Sequence, residues 1–211
     1  MRKIVVMAVM LACVLVVPSA YAAKGDITFG LNGGLTIPTG DFGKTDTTSG
    51  QFGFKSGFTG GVFGDYMVHE MIAVGIDAGY GQNKGKDLPS GVDAKLTIIN
   101  VGAHVKYMPP MKDMPISPYL QVGAGLYNAK AKITFGSESS DTTVNKFGFT
   151  VGIGADYKVT PQVGVGIYGT YHSIMKVPLG VDAEGNDVEK TANYIAAGVR
   201  VTFLTGGGAK K

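Results

Sequence analysis

Six titratable residues stand out because each sits among small or apolar neighbours: Asp65, Asp77, His104, Lys106, Asp156 and Arg200. Carboxylates mixed with cations in apolar surroundings can do two kinds of work. They can pair across an interior and brace it, since an unpaired buried charge is expensive. Alternatively they can line a path for protons or small ions. His172 and Ser173 are the residue types of a base and a nucleophile, but neighbours on an extended strand point to opposite faces and do not share a proton. The histidines His69, His104 and His172 fall in separate stretches without ligand spacing, so no metal site is expected. Runs such as GLNGG and VGIGAD lack the strand, loop and helix context of phosphate binding. No cofactor is implied, and an enzyme is not expected.

The elements that carry these residues have a period of two. In Met71 to Gln82, Ile72, Val74, Ile76, Ala78 and Tyr80 alternate with Ala73, Gly75, Asp77, Gly79 and Gly81. In Phe147 to Val159, Phe147, Phe149, Val151, Ile153, Ala155 and Tyr157 alternate with Gly148, Thr150, Gly152, Gly154 and Asp156. Such alternation marks strands with two unlike faces. The same template gives eight strands, near 26–38, 56–67, 71–83, 94–108, 117–135, 145–159, 163–175 and 188–203. Most are long enough to cross a bilayer at a tilt, which takes about 9–11 residues. Long polar connections, around 39–55, 83–92, 136–144 and 176–188, alternate with the tight links 68–70, 109–116 and 160–162. Short turns on one rim and long loops on the other describe an all-β, eight-stranded antiparallel up-and-down transmembrane β-barrel.

Composition decides which face meets lipid. With 33 Gly, no Trp and 17% charged residues, the less apolar face carries too little charge to be the wet outside of a soluble barrel. It suits a narrow lumen, where glycine leaves room for the side chains that fill eight strands. The apolar face then looks outward, with two aromatic girdles. Tyr66, Tyr107, Tyr157 and Phe203 lie near the short-turn rim, and Phe58, Tyr80, Phe147 and Tyr171 toward the long-loop rim. Closure requires the last strand to pair with the first, because no backbone edge can stay open in lipid.

The amino terminus reads as a secretory signal peptide over residues 1–22. Arg2 and Lys3 precede the apolar run Ile4 to Val17, and Ala20 and Ala22 supply the small residues of a cleavage site. The barrel would occupy 23–203 and a flexible tail 204–211. Cys13 is the only cysteine, so a mature chain has neither disulfide nor thiolate site. It would hold 17 basic against 16 acidic residues, without a polybasic patch, which argues against nucleic acid as a partner.

The opening strand DITFGLNGGLTIPTGDFG, with its glycine-rich centre and Pro-Thr-Gly exit, and the ending YIAAGVRVTF resemble the small outer-membrane β-barrel family of the OmpA and OmpX type. The resemblance implies that Gly198, Val201 and Phe203 belong to a carboxyl-terminal signal read by the barrel assembly machinery. It also implies a monomer in the outer membrane, surrounded by lipid and lipopolysaccharide. One departure is that the chain continues past Phe203 as LTGGGAKK. The polar loops GKTDTTSGQ and GSESSDTT suit contact with lipopolysaccharide or other surfaces. Three functions stay open: a structural, envelope-stabilising or surface-interaction role, a narrow channel for small solutes or ions, and a lipid-modifying enzyme built on His172 and Ser173.

Overall fold

The computed structural model describes residues 24–45, 53–88, 90–110, 114–181 and 187–205. The assigned signal peptide, residues 46–52 of the first loop, and the tail beyond residue 205 lie outside the described residues. Eight strands follow in order: β1 (Ile27–Thr39), β2 (Gly57–His69), β3 (Ile72–Lys84), β4 (Val92–Tyr107), β5 (Ile116–Phe135), β6 (Glu138–Lys158), β7 (Val163–Val181) and β8 (Asp187–Thr205). A 3-10 turn, Gly40–Gly43, follows β1. Each strand pairs antiparallel with its sequence neighbour, and β8 returns to β1, closing the barrel.

Directly opposed residues lead around the wall from Ile27 through Tyr66, Val74, Val105, Val122, Val151, Tyr171 and Ile195 to Ile37. The circuit returns to β1 ten residues further along, from 27 to 37. A stagger of that size in eight strands tilts them by about 40° to the axis. Every side chain on this spiral is apolar or aromatic and exposed. The chain presents these side chains outward because alternation puts its polar and glycine positions inside.

The girdle residues also lie on this outer face. Tyr66, Tyr107, Phe58, Tyr80, Phe147 and Tyr171 are exposed, while Tyr157 and Phe203 are half-buried. Tyr80 is eight residues from Ile72 and Tyr171 eight from Val163, whereas Phe58 is eleven from His69 and Phe147 eleven from Lys158. At about 3.3 Å per residue and a tilt of about 40°, these stand roughly 20–28 Å above the short-turn rim. That matches the ~25 Å apolar band of an outer-membrane barrel. Within the girdles Phe29 stacks on Phe203 at 5.3 Å, and Phe58 approaches Tyr80 at 6.0 Å.

Three expectations from the sequence need correction. The polar stretch 136–144 is not a long loop, since β5 and β6 continue as a paired ribbon to Phe135 and Glu138. Gly136, with φ +58, makes a two-residue turn there, the conformation such hairpins require. Likewise β7 does not end at residue 175 but runs on to Val181 past a register shift between Ile174 and Val177. Mixed pairs such as Lys132 with Asp141 and Thr134 with Ser139 extend the β5–β6 ribbon without the apolar alternation used to find strands. At the other end, β8 stops at Thr205 rather than Phe203.

Candidate functional site

Strand parity turns all six sequence-selected ionisable residues into the lumen. Asp65 comes from β2, Asp77 from β3, His104 and Lys106 from β4, Asp156 from β6, and Arg200 from β8. Each lies within five residues of the short-turn end of its strand. Register explains the first contacts: Asp65 opposes Gly75, and Gly75 opposes His104. With only glycine between them, Asp65 Oδ1 reaches His104 Nε2 at 2.6 Å. His104 Nδ1 lies 3.1 Å from Asp77 Oδ1, and Asn100 Nδ2 donates to Asp77 Oδ2 at 3.1 Å. The ammonium of Lys106 donates to the other oxygen of Asp65. One carboxylate therefore serves two partners, with the imidazole carrying the chain of contacts on to Asp77.

Arg200 and Asp156 form a second pair. Arg200 Nε is 3.2 Å from Asp156 Oδ1, close enough for charge attraction but without hydrogen-bond alignment. Two aromatic residues that the sequence reading did not select join the two groups. Arg200 Cζ sits 4.1 Å from the centre of the Phe63 ring and 4.8 Å from that of Tyr119. Lys106 Nζ lies 5.0 and 4.9 Å from the same rings. Two cations between two π-faces replace part of the hydration that burial removes. The signal was present in the parity, because Phe63 shares a face with Asp65 and Tyr119 shares one with Gln121.

This brace divides the lumen. Below it a vestibule of about 410 Å³ opens at the short-turn end, and above it lies a cavity of about 70 Å³. Lys106 and Arg200 line both. Higher still, the lumen is filled by an apolar cluster that includes Phe42, Phe54, Leu96, Ile98, Tyr127, Ile174 and Tyr194. The expectation of a lumen lined mainly by small and mildly polar residues fails at this level. Phe42 reaches the cluster from the 3-10 turn and packs on Phe54 at 5.1 Å. His172 stacks on Tyr194 at 4.5 Å, and its Nδ1 is 2.9 Å from Tyr127 Oη. The His172 ring is thus held inside the plug by Tyr194 and Tyr127. His69 stays at the opposite rim, where its Nδ1 accepts from the Met71 amide at 3.3 Å.

The terminal residues assigned to assembly divide by face. Val201 and Phe203 point outward, while Gly198 lies inward on the seam, opposite Gly34 of β1.

The profile of the outer membrane protein beta-barrel domain family matches residues 9–203. The chain belongs to this family. Membership places it in the outer membrane and agrees with the apolar outer face. Among solved structures, the chain is similar to Neisserial surface protein A, with 22% identity, 86% of this chain and 98% of that one covered, and a TM-score of 0.55. It is also similar to the outer membrane protein OprG from Pseudomonas aeruginosa, with 15% identity, 89% and 99% coverage, and a TM-score of 0.56. At these identities the likeness concerns the fold. A search of curated proteins returns no match.

Proposed function

We propose that this outer-membrane barrel serves as a closed structural and surface-interaction protein, not as a channel. The observation that carries this reading is the cross-lumen brace of Lys106 and Arg200 between Phe63 and Tyr119. An ion entering the vestibule would meet two fixed cations and two rings, then the apolar cluster around Phe42 and Tyr194. Dehydrating an ion across such an apolar constriction is a barrier. The paired ribbons of β5–β6 and β7–β8 extend beyond the outer girdle and present the remaining polar surface. Export through a cleaved signal peptide and a monomeric state are part of the same reading.

Reconstitution in planar bilayers tests it. The wild-type barrel is expected to give no discrete openings, and Arg200→Ala is expected to leave that baseline unchanged, because Lys106, both rings and the upper plug remain. Reproducible unitary steps altered by Arg200→Ala would instead establish the narrow channel.

A further inference from the structure

Lys84, Lys95 and Lys132 occupy directly opposed positions on three neighbouring strands: Lys84 faces Lys95 across β3–β4, and Lys95 faces Lys132 across β4–β5. All three are exposed and share the outward parity of Tyr80, Ile99 and Leu126. Like charges directly opposite on one face repel. The next residue in the row, Asp141, opposes Lys132 but is ion-paired with Lys130. That contact, by hydrogen bond and charge, holds the Asp141 carboxyl below its usual range. Asp93, exposed on the same outward face two residues from Lys95, is the other nearby carboxylate, so the row is a concentration of positive charge only partly offset by its own chain.

Height on the barrel says what faces it. Tyr80 belongs to the outer girdle, and Lys84 lies four residues further along the same strand. Between them on the outer face is the polar row Gln82, Thr97 and Lys130. Four residues at a tilt of about 40° place Lys84 roughly 10 Å above the girdle, beyond the acyl chains and level with lipid headgroups. The stagger of the wall carries Lys95 and Lys132 successively higher.

We propose that Lys84, Lys95 and Lys132 form a binding site for the phosphate groups of the outer-leaflet lipid, lipopolysaccharide. Phosphates at that depth remove the mutual repulsion of the row, and a lysine ladder that climbs the wall can engage phosphates at more than one level. Ammonium groups near an anionic lipid surface each add attraction. The site rests on the outer-membrane placement of the barrel and is independent of whether the lumen conducts.

The test uses the mature full-length barrel in neutral detergent, with lipid binding followed by native mass spectrometry. Probes are diphosphorylated lipid A, the same lipid after enzymatic dephosphorylation, and inorganic phosphate. The wild type is expected to bind the diphosphorylated lipid at least about tenfold more tightly than the dephosphorylated form. The combined variant Lys84→Gln, Lys95→Gln, Lys132→Gln should lose that preference, while Lys24→Gln at the opposite rim keeps it. Millimolar inorganic phosphate should not displace the lipid. In neutral detergent without lipid, the triple variant should keep its folded gel mobility to a temperature at least as high as the wild type, since repulsion has been relieved. Equal binding of the two lipids, an unchanged preference in the triple variant, displacement by inorganic phosphate, or earlier melting of the variant in neutral detergent would each overturn the proposal.

Discussion

Replacing Asp65 with alanine is expected to destabilise the barrel by about 3–5 kcal/mol, the usual cost of leaving a buried charge without its partner. Asp65 accepts from both His104 and Lys106, and the Lys106 side chain is only 2% exposed. Removing the carboxylate leaves that ammonium beside Arg200, with Phe63 and Tyr119 as poor substitutes for a counter-ion. Urea titration in lipid vesicles, read by the mobility of unheated samples, measures the loss. Changing Asp65→Ala together with Lys106→Met should recover much of it, because the demand for a counter-charge disappears with the cation. A single variant within about 0.5 kcal/mol of wild type, the range of surface substitutions, would mean that the brace carries no stability.

Gly198→Val is expected to damage the β1–β8 seam severely, at a cost of about 3 kcal/mol. Gly198 opposes Gly34, and a Cβ on Gly198 would lie 2.1 Å from the Gly33 carbonyl oxygen. The converse holds for Gly34, whose Cβ would lie 2.1 Å from the Ala197 carbonyl oxygen. Both contacts are with backbone that is itself paired on its other side, so retreat would break a second ladder. Gly64 and Gly169 supply the controls, since a Cβ at either meets nothing within 4 Å. Alanine there should leave the unheated mobility intact, whereas Gly198→Val should shift most of the protein to the unfolded position. A folded Gly198→Val barrel with normal stability would show that the seam tolerates widening.

The transmembrane wall was legible because lipid imposes one rule on every strand. Ile76, Val101, Val122, Ile153 and Val199 could be placed outside from alternation alone. The ionic brace was legible for the same reason, as Asp65, Lys106 and Arg200 interrupt the small-residue face. What alternation hid was bulk inside the lumen. Leu96 and Ile98 share the face of Asn100 and His104, so strict parity would have sent them inward. Reading apolar type as outward masked them, together with Phe63, Tyr119, Tyr127 and Tyr194. The ribbon beyond the outer girdle was hidden by a different cause: in Ser139–Thr143 both faces meet water, so no contrast between faces marks a strand. The lysine row depends on register across three strands, which no single segment of sequence contains.

The central claim is that the alternating apolar side chains face hydrocarbon around a closed, plugged cylinder. A cysteine scan along β6, from Phe147 to Tyr157 in the mature chain, addresses it most directly, because Cys13 is the only native cysteine and lies within the assigned signal peptide. Each cysteine would carry a fluorophore, and quenching by a lipid-dissolved quencher would be compared in the same vesicles. Strong quenching at 147, 149, 151 and 153, with weak quenching at 150 and 156, is the expected result; the lumen-facing glycines 148, 152 and 154 are left unchanged because a Cβ there would meet neighbouring atoms at 2.4–2.9 Å. Reversed alternation, or none, would contradict the outward orientation on which the location, the brace and the lysine row all depend.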